Sequence, residues 1–202
     1  MKYVVLLFIA TLGVAIACGV QSGQATDGEK LPPIVIQMYD TALPGGTIEI
    51  EANRDGTIIE IEAEIAVDAV PKVIRDKAEE DLPGGEITGA EIEDVGGRKA
   101  YEIKKVVEGL GYELVYDESG KLLEKEAEVR KEDAPKAVID AAMGVVPGAA
   151  FKSVEMITMG EESVYHVKTT KDGGSYKIVL KPDGTILRKV REAPAEIEIP
   201  LK

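Results

Sequence analysis

The sequence has no tryptophan, two phenylalanines, one cysteine and one histidine. A single cysteine excludes an internal disulfide, and a single histidine excludes a histidine-rich zinc site. It also removes most ways of assembling histidine-dependent catalysis. Sparse aromatics leave few large anchors for an interface. Basic residues are in deficit: 24 lysines and arginines stand against 37 aspartates and glutamates, a formal net charge of -13. So acidic a chain repels nucleic-acid phosphates, and no basic patch offsets this, so a DNA- or RNA-binding role is set aside. What is present is ordinary for a folded chain: 202 residues, 45% hydrophobic and 30% charged, enough for one or two domains. These counts favour a binding or structural protein over an enzyme. They assign no catalytic residue, no cofactor and no metal ligand.

The one long apolar run opens the chain. Residues 1–17, MKYVVLLFIATLGVAIA, carry Lys2 and then an apolar stretch to Ala17, the layout of a secretory signal peptide. It is short for a spanning helix, which needs about 20 apolar residues. Ala15-Ile16-Ala17 fits ordinary signal peptidase. With Cys18-Gly19 it also resembles a bacterial lipobox, in which Cys18 becomes the lipidated N-terminus. Three outcomes stay open: lipid anchoring through Cys18, plain secretion, and an uncleaved anchor. Residues 18–30 read as a flexible tether.

The rest is organised by repetition. Residue i matches residue i+64 without a gap: Pro71 with Pro135, Leu82-Pro83-Gly84-Gly85 with Val146-Pro147-Gly148-Ala149, Tyr101 with Tyr165, Tyr112 with Tyr176, Gly120 with Gly184. Gly56 to Ile65 also lies over Gly120 to Val129. The expected organisation is a truncated repeat at 31–69 (helix plus hairpin), full repeats at 70–133 and 134–195, and a tail at 196–202. Within a repeat, Pro71 opens a helix that Pro83-Gly84-Gly85 ends. The period then shifts to two, with turns at Gly96-Gly97, Gly109 to Gly111 and Asp117 to Gly120. The expected fold class is α+β: tandem units of one helix followed by a four-stranded antiparallel meander, with the helices on one face of the sheet. Ile59, Ile61, Ala63 and Ile65 point to the helices, and Glu60, Glu62 and Glu64 to a wet acidic face.

This unit resembles the PepSY-like domain family of the β-lactamase-inhibitor-like group. The resemblance rests on Pro71 and Pro135, the two helix-ending Pro-Gly motifs, Tyr101 and Tyr165, Tyr112 to Val115 and Tyr176 to Val179, and the turns Asp117 to Leu123 and Pro182 to Leu187. It implies a secreted or periplasmic, often lipid-anchored, binding or inhibitory module that grips a protein partner.

Candidate sites are weighed against that expectation. The ladders Glu60/Glu62/Glu64 and Glu124/Glu126/Glu128 read as a solvated face, a loose divalent-cation site, or a partner-binding surface. No carboxylate is set apart from its neighbours as acid–base chemistry requires. Tyr101 and Tyr165 read as packing or as partner contacts. His166 reads as an ordinary face residue or a pH sensor. Net charge runs -7, -7 and +1 over residues 1–69, 70–133 and 134–202, which suits a protein partner in the envelope or head-to-tail self-association. The expected partner-binding residues are Glu60, Glu62, Glu124, Glu126, Tyr101 and Tyr165. The expected location is the bacterial envelope, lipid-anchored and facing the periplasm, or secreted and soluble.

Overall fold

The computed structural model describes residues 4–10 and 31–196. Cys18, the tether 18–30 and residues 197–202 of the tail lie outside the described residues, as do residues 1–3 and 11–17 of the leader. In chain order the elements are β1 (Val4–Ala10), α1 (Pro33–Thr41), β2 (Ile48–Ala52), β3 (Ile58–Ile65), α2 (Lys72–Asp81), β4 (Glu86–Val95), β5 (Arg98–Val107), β6 (Leu110–Asp117), β7 (Leu122–Glu128), α3 (Lys136–Val145), β8 (Ala150–Met159), β9 (Glu162–Lys171), β10 (Gly174–Leu180) and β11 (Ile186–Glu196).

Proline fixes where the helices start. Pro32, Pro71 and Pro135 each stand immediately before a helix, with φ of -51°, -51° and -56°, and the missing N–H costs nothing there. The Pro71 carbonyl already accepts from Ile74 N at 2.9 Å. Each helix is short and buries two residues one turn apart: Val35 and Met38, Ile74 and Ala78, Val138 and Ala142. Partly buried neighbours widen the stripe, Ile34 and Tyr39 on α1 and Ile139, Ala141 and Val145 on α3. The opposite face is wet, with Lys72 donating to Asp76 and Lys77 to Glu80 on α2.

The expectation of tandem helix-plus-meander units is overturned by the sheet. Strands β2 to β11 form one antiparallel sheet, each strand bonded to the next in sequence. The molecule is mostly strand, a curled half-barrel of ten strands with three short helices. The join falls where two units would have parted: Lys125 to Glu128 of β7 pair with Thr158 to Glu155 of β8. Left as an edge, β7 would present unpaired N–H and C=O groups, so pairing with β8 satisfies both strands. Right-handed twist then accumulates over ten strands and curls the sheet. β1 bridges the two ends, antiparallel to β11 and parallel to β2, so that the hydrogen bonding runs round a ring.

The helices lie on the convex side. One core cluster joins α1 and α2 to β2–β6, with Ile61, Ile74, Ile103, Leu114 and Tyr116 fully buried. A second joins α3 to β8–β10 through Val138, Val154, Val167 and Ile178. Burying one such aliphatic side chain contributes about 1.5–3 kcal/mol. The concave side is left to the alternate residues of every strand. Among the described residues, no helix is long and apolar enough to cross a membrane.

Candidate functional site: the charged interior of the sheet

Strand alternation decides what fills the curl. On β3, Ile61, Ala63 and Ile65 point outward to the helices, so Glu60 and Glu62 point inward. The same alternation sends Glu49 and Glu51 of β2, Glu91 and Glu93 of β4, Glu102 and Lys104 of β5, and Glu124 and Glu126 of β7 into the interior. A cavity of about 130 Å3 lies among ten glutamates, three lysines and His166, with no apolar residue in its lining. It continues into a wider space of about 610 Å3, where Val95, Val115, Leu123, Met159 and Val179 join the acids.

Of the acidic ladders, Glu60, Glu62, Glu124 and Glu126 are therefore part-buried around the cavity, not on a solvated outer face, whereas Glu128 is exposed. Glu51 is 5% exposed, Glu93 5% and Glu102 7%. Registry stacks like charges: Glu49, Glu62 and Glu93 are successive cross-strand partners over β2, β3 and β4. Glu91 and Glu102 are partners over β4 and β5. Such pairs repel, and the interior relieves the repulsion in two ways.

The first is lysine. Lys104 Nζ donates to Glu91 Oε1 at 2.8 Å and lies 3.4 Å from Glu102 and 3.9 Å from Glu113. Burial lowers its affinity for the proton, but Glu102, Glu91 and Glu113 outweigh that and hold it well above the usual lysine range. Lys168 reaches Glu155 at 3.2 Å, Lys177 lies 3.8 Å from Glu51, and Arg188 also pairs with Glu51. The second is protonation. Burial, with Glu60 and Glu124 adding to it, pushes Glu93 up to about 8. Burial, then Glu113 and Glu124, pushes Glu126 up to about 9. Burial with neighbouring carboxylates holds Glu62 and Glu102 well above the carboxylate range.

His166 faces this interior from β9, directly opposite Glu155 of β8. Burial, with Lys177 and Lys168, pushes its pKa down to about 3. This favours the neutral imidazole, whose Nδ1 lies 3.8 Å from Glu126 Oε1. Glu126, Glu155 and His166 place potential ligand atoms within 4.8 Å of one another.

Of the sequence-predicted residues, Glu60, Glu62, Glu124 and Glu126 come together around the wider cavity. Tyr101 and Tyr165 do not join them. Tyr101 is 8% exposed on the helix side, beside Tyr116 and under the Lys99 ammonium. Tyr165 packs in the second cluster. Glu49, Glu93, Glu102, Lys104 and Glu155 escape sequence reasoning. Their signal is the same alternation, seen in Glu91-Ile92-Glu93 and Glu102-Ile103-Lys104.

A curled sheet with outer helices and a buried acidic interior is the arrangement that these residues define. No protein-family model and no curated protein matches the sequence. Solved structures do match the fold. A protein of Bacteroides eggerthii designated periplasmic shares 16% identity at a TM-score of 0.50, over 60% of this chain and 88% of that one. A DUF2874 family protein from Bacteroides uniformis shares 16% identity at 0.50, over 60% and 89%. A BLIP-like protein from Bacteroides fragilis shares 19% identity at 0.45, over 59% and 84%. At these identities the likeness is one of fold.

Proposed function

We propose that this chain is a non-enzymatic, inhibitor-like binding module of the bacterial envelope. It faces the periplasm and is anchored through a lipidated Cys18. It grips a cationic segment of a protein partner in the mouth of the curled sheet. The observation that carries this reading is the interior imbalance of ten glutamates against three lysines around one cavity. A lysine- or arginine-bearing segment would neutralise carboxylates that otherwise hold protons, and the apolar residues of the wider cavity would take its side-chain stems. The leader, the PepSY-like motifs and the periplasmic designation of one structural neighbour support the location.

Leader cleavage before Cys18 would remove β1 and leave β2 and β11 as free edges. Those edges favour a second reading, self-association by edge pairing in a scaffolding role. The test is capture from envelope extract with the mature chain, repeated with Glu60, Glu62 and Glu124 changed to Gln. Gln is chosen over Lys because these residues face an enclosed space, where reversed charge would disturb the fold. A partner lost in the triple variant and weakened by salt supports the interior as the grip. Equal retention by both proteins overturns it. Cys18→Ser should move the protein from membranes to the soluble fraction, and an unmodified chain starting elsewhere overturns the anchor.

A further inference from the structure

We propose that the interior carries a binding site for a divalent transition-metal ion, formed by Glu126 of β7, Glu155 of β8 and His166 of β9. In the sequence only the glutamate ladders, Glu126 among them, suggest loose cation binding, and Glu155 and His166 stand far from Glu126 along the chain. Three adjacent strands bring them together. Glu155 and His166 are direct cross-strand partners. Glu126 pairs with Ile157, two residues along β8 from Glu155, which puts it on the same face. All three donor groups lie within 4.8 Å of one another, with Nδ1 of His166 3.8 Å from Oε1 of Glu126. Ligands bound at 2.0–2.2 Å to a tetrahedral ion stand about 3.5 Å apart. Small side-chain rotations close that gap, and the strand ladder holds the backbones in place.

The burial of these groups bears on the same site. Oε2 of Glu155 is cut off from solvent and accepts no hydrogen bond; the Lys168 ammonium donates to Oε1 of the same carboxylate at 3.3 Å and lies 3.2 Å from Oε2. Buried acceptors without donors are costly, and native interiors rarely leave them so. The His166 side chain is 17% exposed, and its Nδ1 lies 3.8 Å from Glu126 Oε1, beyond hydrogen-bonding distance. A cation among the three would give Glu155 Oε2 and the imidazole nitrogen a common partner.

One imidazole nitrogen with two carboxylates is a donor set for zinc, cobalt, manganese or iron, and the nitrogen disfavours calcium and magnesium. Three protein ligands leave at least one coordination position to water or to a group from outside. Lys168 competes for the same negative charge and must swing aside when the ion enters.

This site does not depend on the proposed protein partner, since capture in the presence of a chelator tests that reading alone. The test uses the full chain, stripped with chelator and titrated with Zn2+ by calorimetry and with Co2+ by visible absorption at pH 7. One saturable site is expected. His166→Ala should weaken it at least tenfold and abolish the cobalt spectrum. Glu155→Gln, which preserves volume, should also weaken it tenfold or more and serves where the alanine variant does not fold. Lys168→Ala should tighten it. Absence of saturable binding, or unchanged affinity in both His166→Ala and Glu155→Gln, overturns the site. Displacement of Zn2+ by equimolar Ca2+ overturns the assignment to a transition metal.

Discussion

Glu62 of β3 and Glu93 of β4 are direct cross-strand partners on the concave face, two carboxylates facing each other where water is scarce. Glu60, Glu124 and Glu91 add to the charge around Glu93. The folded chain therefore holds a proton on Glu93 that the unfolded chain releases near 4.5.

The sign of the resulting pH dependence follows from linkage. A folded pKa of about 8 lies above the unfolded value, so the stabilisation is complete below about pH 4.5 and is lost as pH rises to about 8. Without metal or partner, urea unfolding should show greater stability at pH 5 than at pH 8.5. Glu93→Gln makes the neutral form permanent. It should flatten this slope and stabilise the chain at pH 8.5 by about 2 kcal/mol, each unit of displacement being worth about 1.4 kcal/mol before relaxation. A slope of the opposite sign, or one unchanged in the variant, would show that Glu93 is ionised throughout.

Lys104 works on the same problem from β5. It is the cation shared by Glu91, Glu102 and Glu113. Lys104→Met removes that charge and leaves three carboxylates together. Breaking such a pair costs 3–5 kcal/mol when buried. Because Lys104 is about one-third exposed, about 2–3 kcal/mol is expected at pH 8. The loss should shrink at pH 5, where Glu102, held well above the carboxylate range, carries a proton instead. Equal losses at the two pH values would show that carboxylate repulsion is not what Lys104 relieves.

Much of the local structure is legible in the sequence, whereas the curvature is not. Pro71 and Pro135 mark helix starts within a residue, and Gly96-Gly97 marks a tight turn, both residues having positive φ. The alternation of Ile61, Ala63 and Ile65 with Glu60 and Glu62 gives the two faces of β3. Yet that alternation is identical for a flat sheet with a wet face and for a curled sheet with an enclosed one. The difference lies in the non-local pairing of β7 with β8 and in the twist summed over ten strands. It turns Glu126 into an interior group while Glu128, on the same strand, stays exposed at the rim. The gathering of Glu126, Glu155 and His166 follows from that pairing, and no spacing motif announces it.

Lys105 belongs to the other face. Its side chain is fully buried, and Nζ donates to the Leu82 carbonyl at 2.6 Å and to Glu79 Oε2 at 2.7 Å. It thus satisfies a carbonyl left over at the end of α2 and ties the helix to β5. Lys105→Ala should destabilise the chain by about 2–4 kcal/mol through the orphaned carbonyl and the lost packing of the stem. Glu79 contributes little to that cost because it is exposed and rehydrates. Lys105→Met restores the stem without the donor and should recover part of the loss. Full recovery in urea unfolding would show that packing alone matters.

Adjacent glycines at the end of α2 provide a sharper test. Gly84 and Gly85 both adopt the left-handed region, at φ +78° and +73°. A Cβ on Gly84 would meet nothing within 4 Å, whereas one on Gly85 would lie 2.2 Å from the Val106 carbonyl oxygen. Gly84→Ala therefore incurs only the backbone penalty, about 1–2 kcal/mol. Gly85→Ala adds a clash with the backbone of β5, which cannot yield as a side chain can. It should cost about 2–3 kcal/mol more, or shift the entry of the chain into β4. The corresponding position before β8 is Ala149, which is not at positive φ, so the chain leaves α3 by another path and a side chain is tolerated there. Unfolding midpoints for the two variants, measured side by side, check the argument. Equal losses would mean that the close approach to Val106 is not maintained in solution.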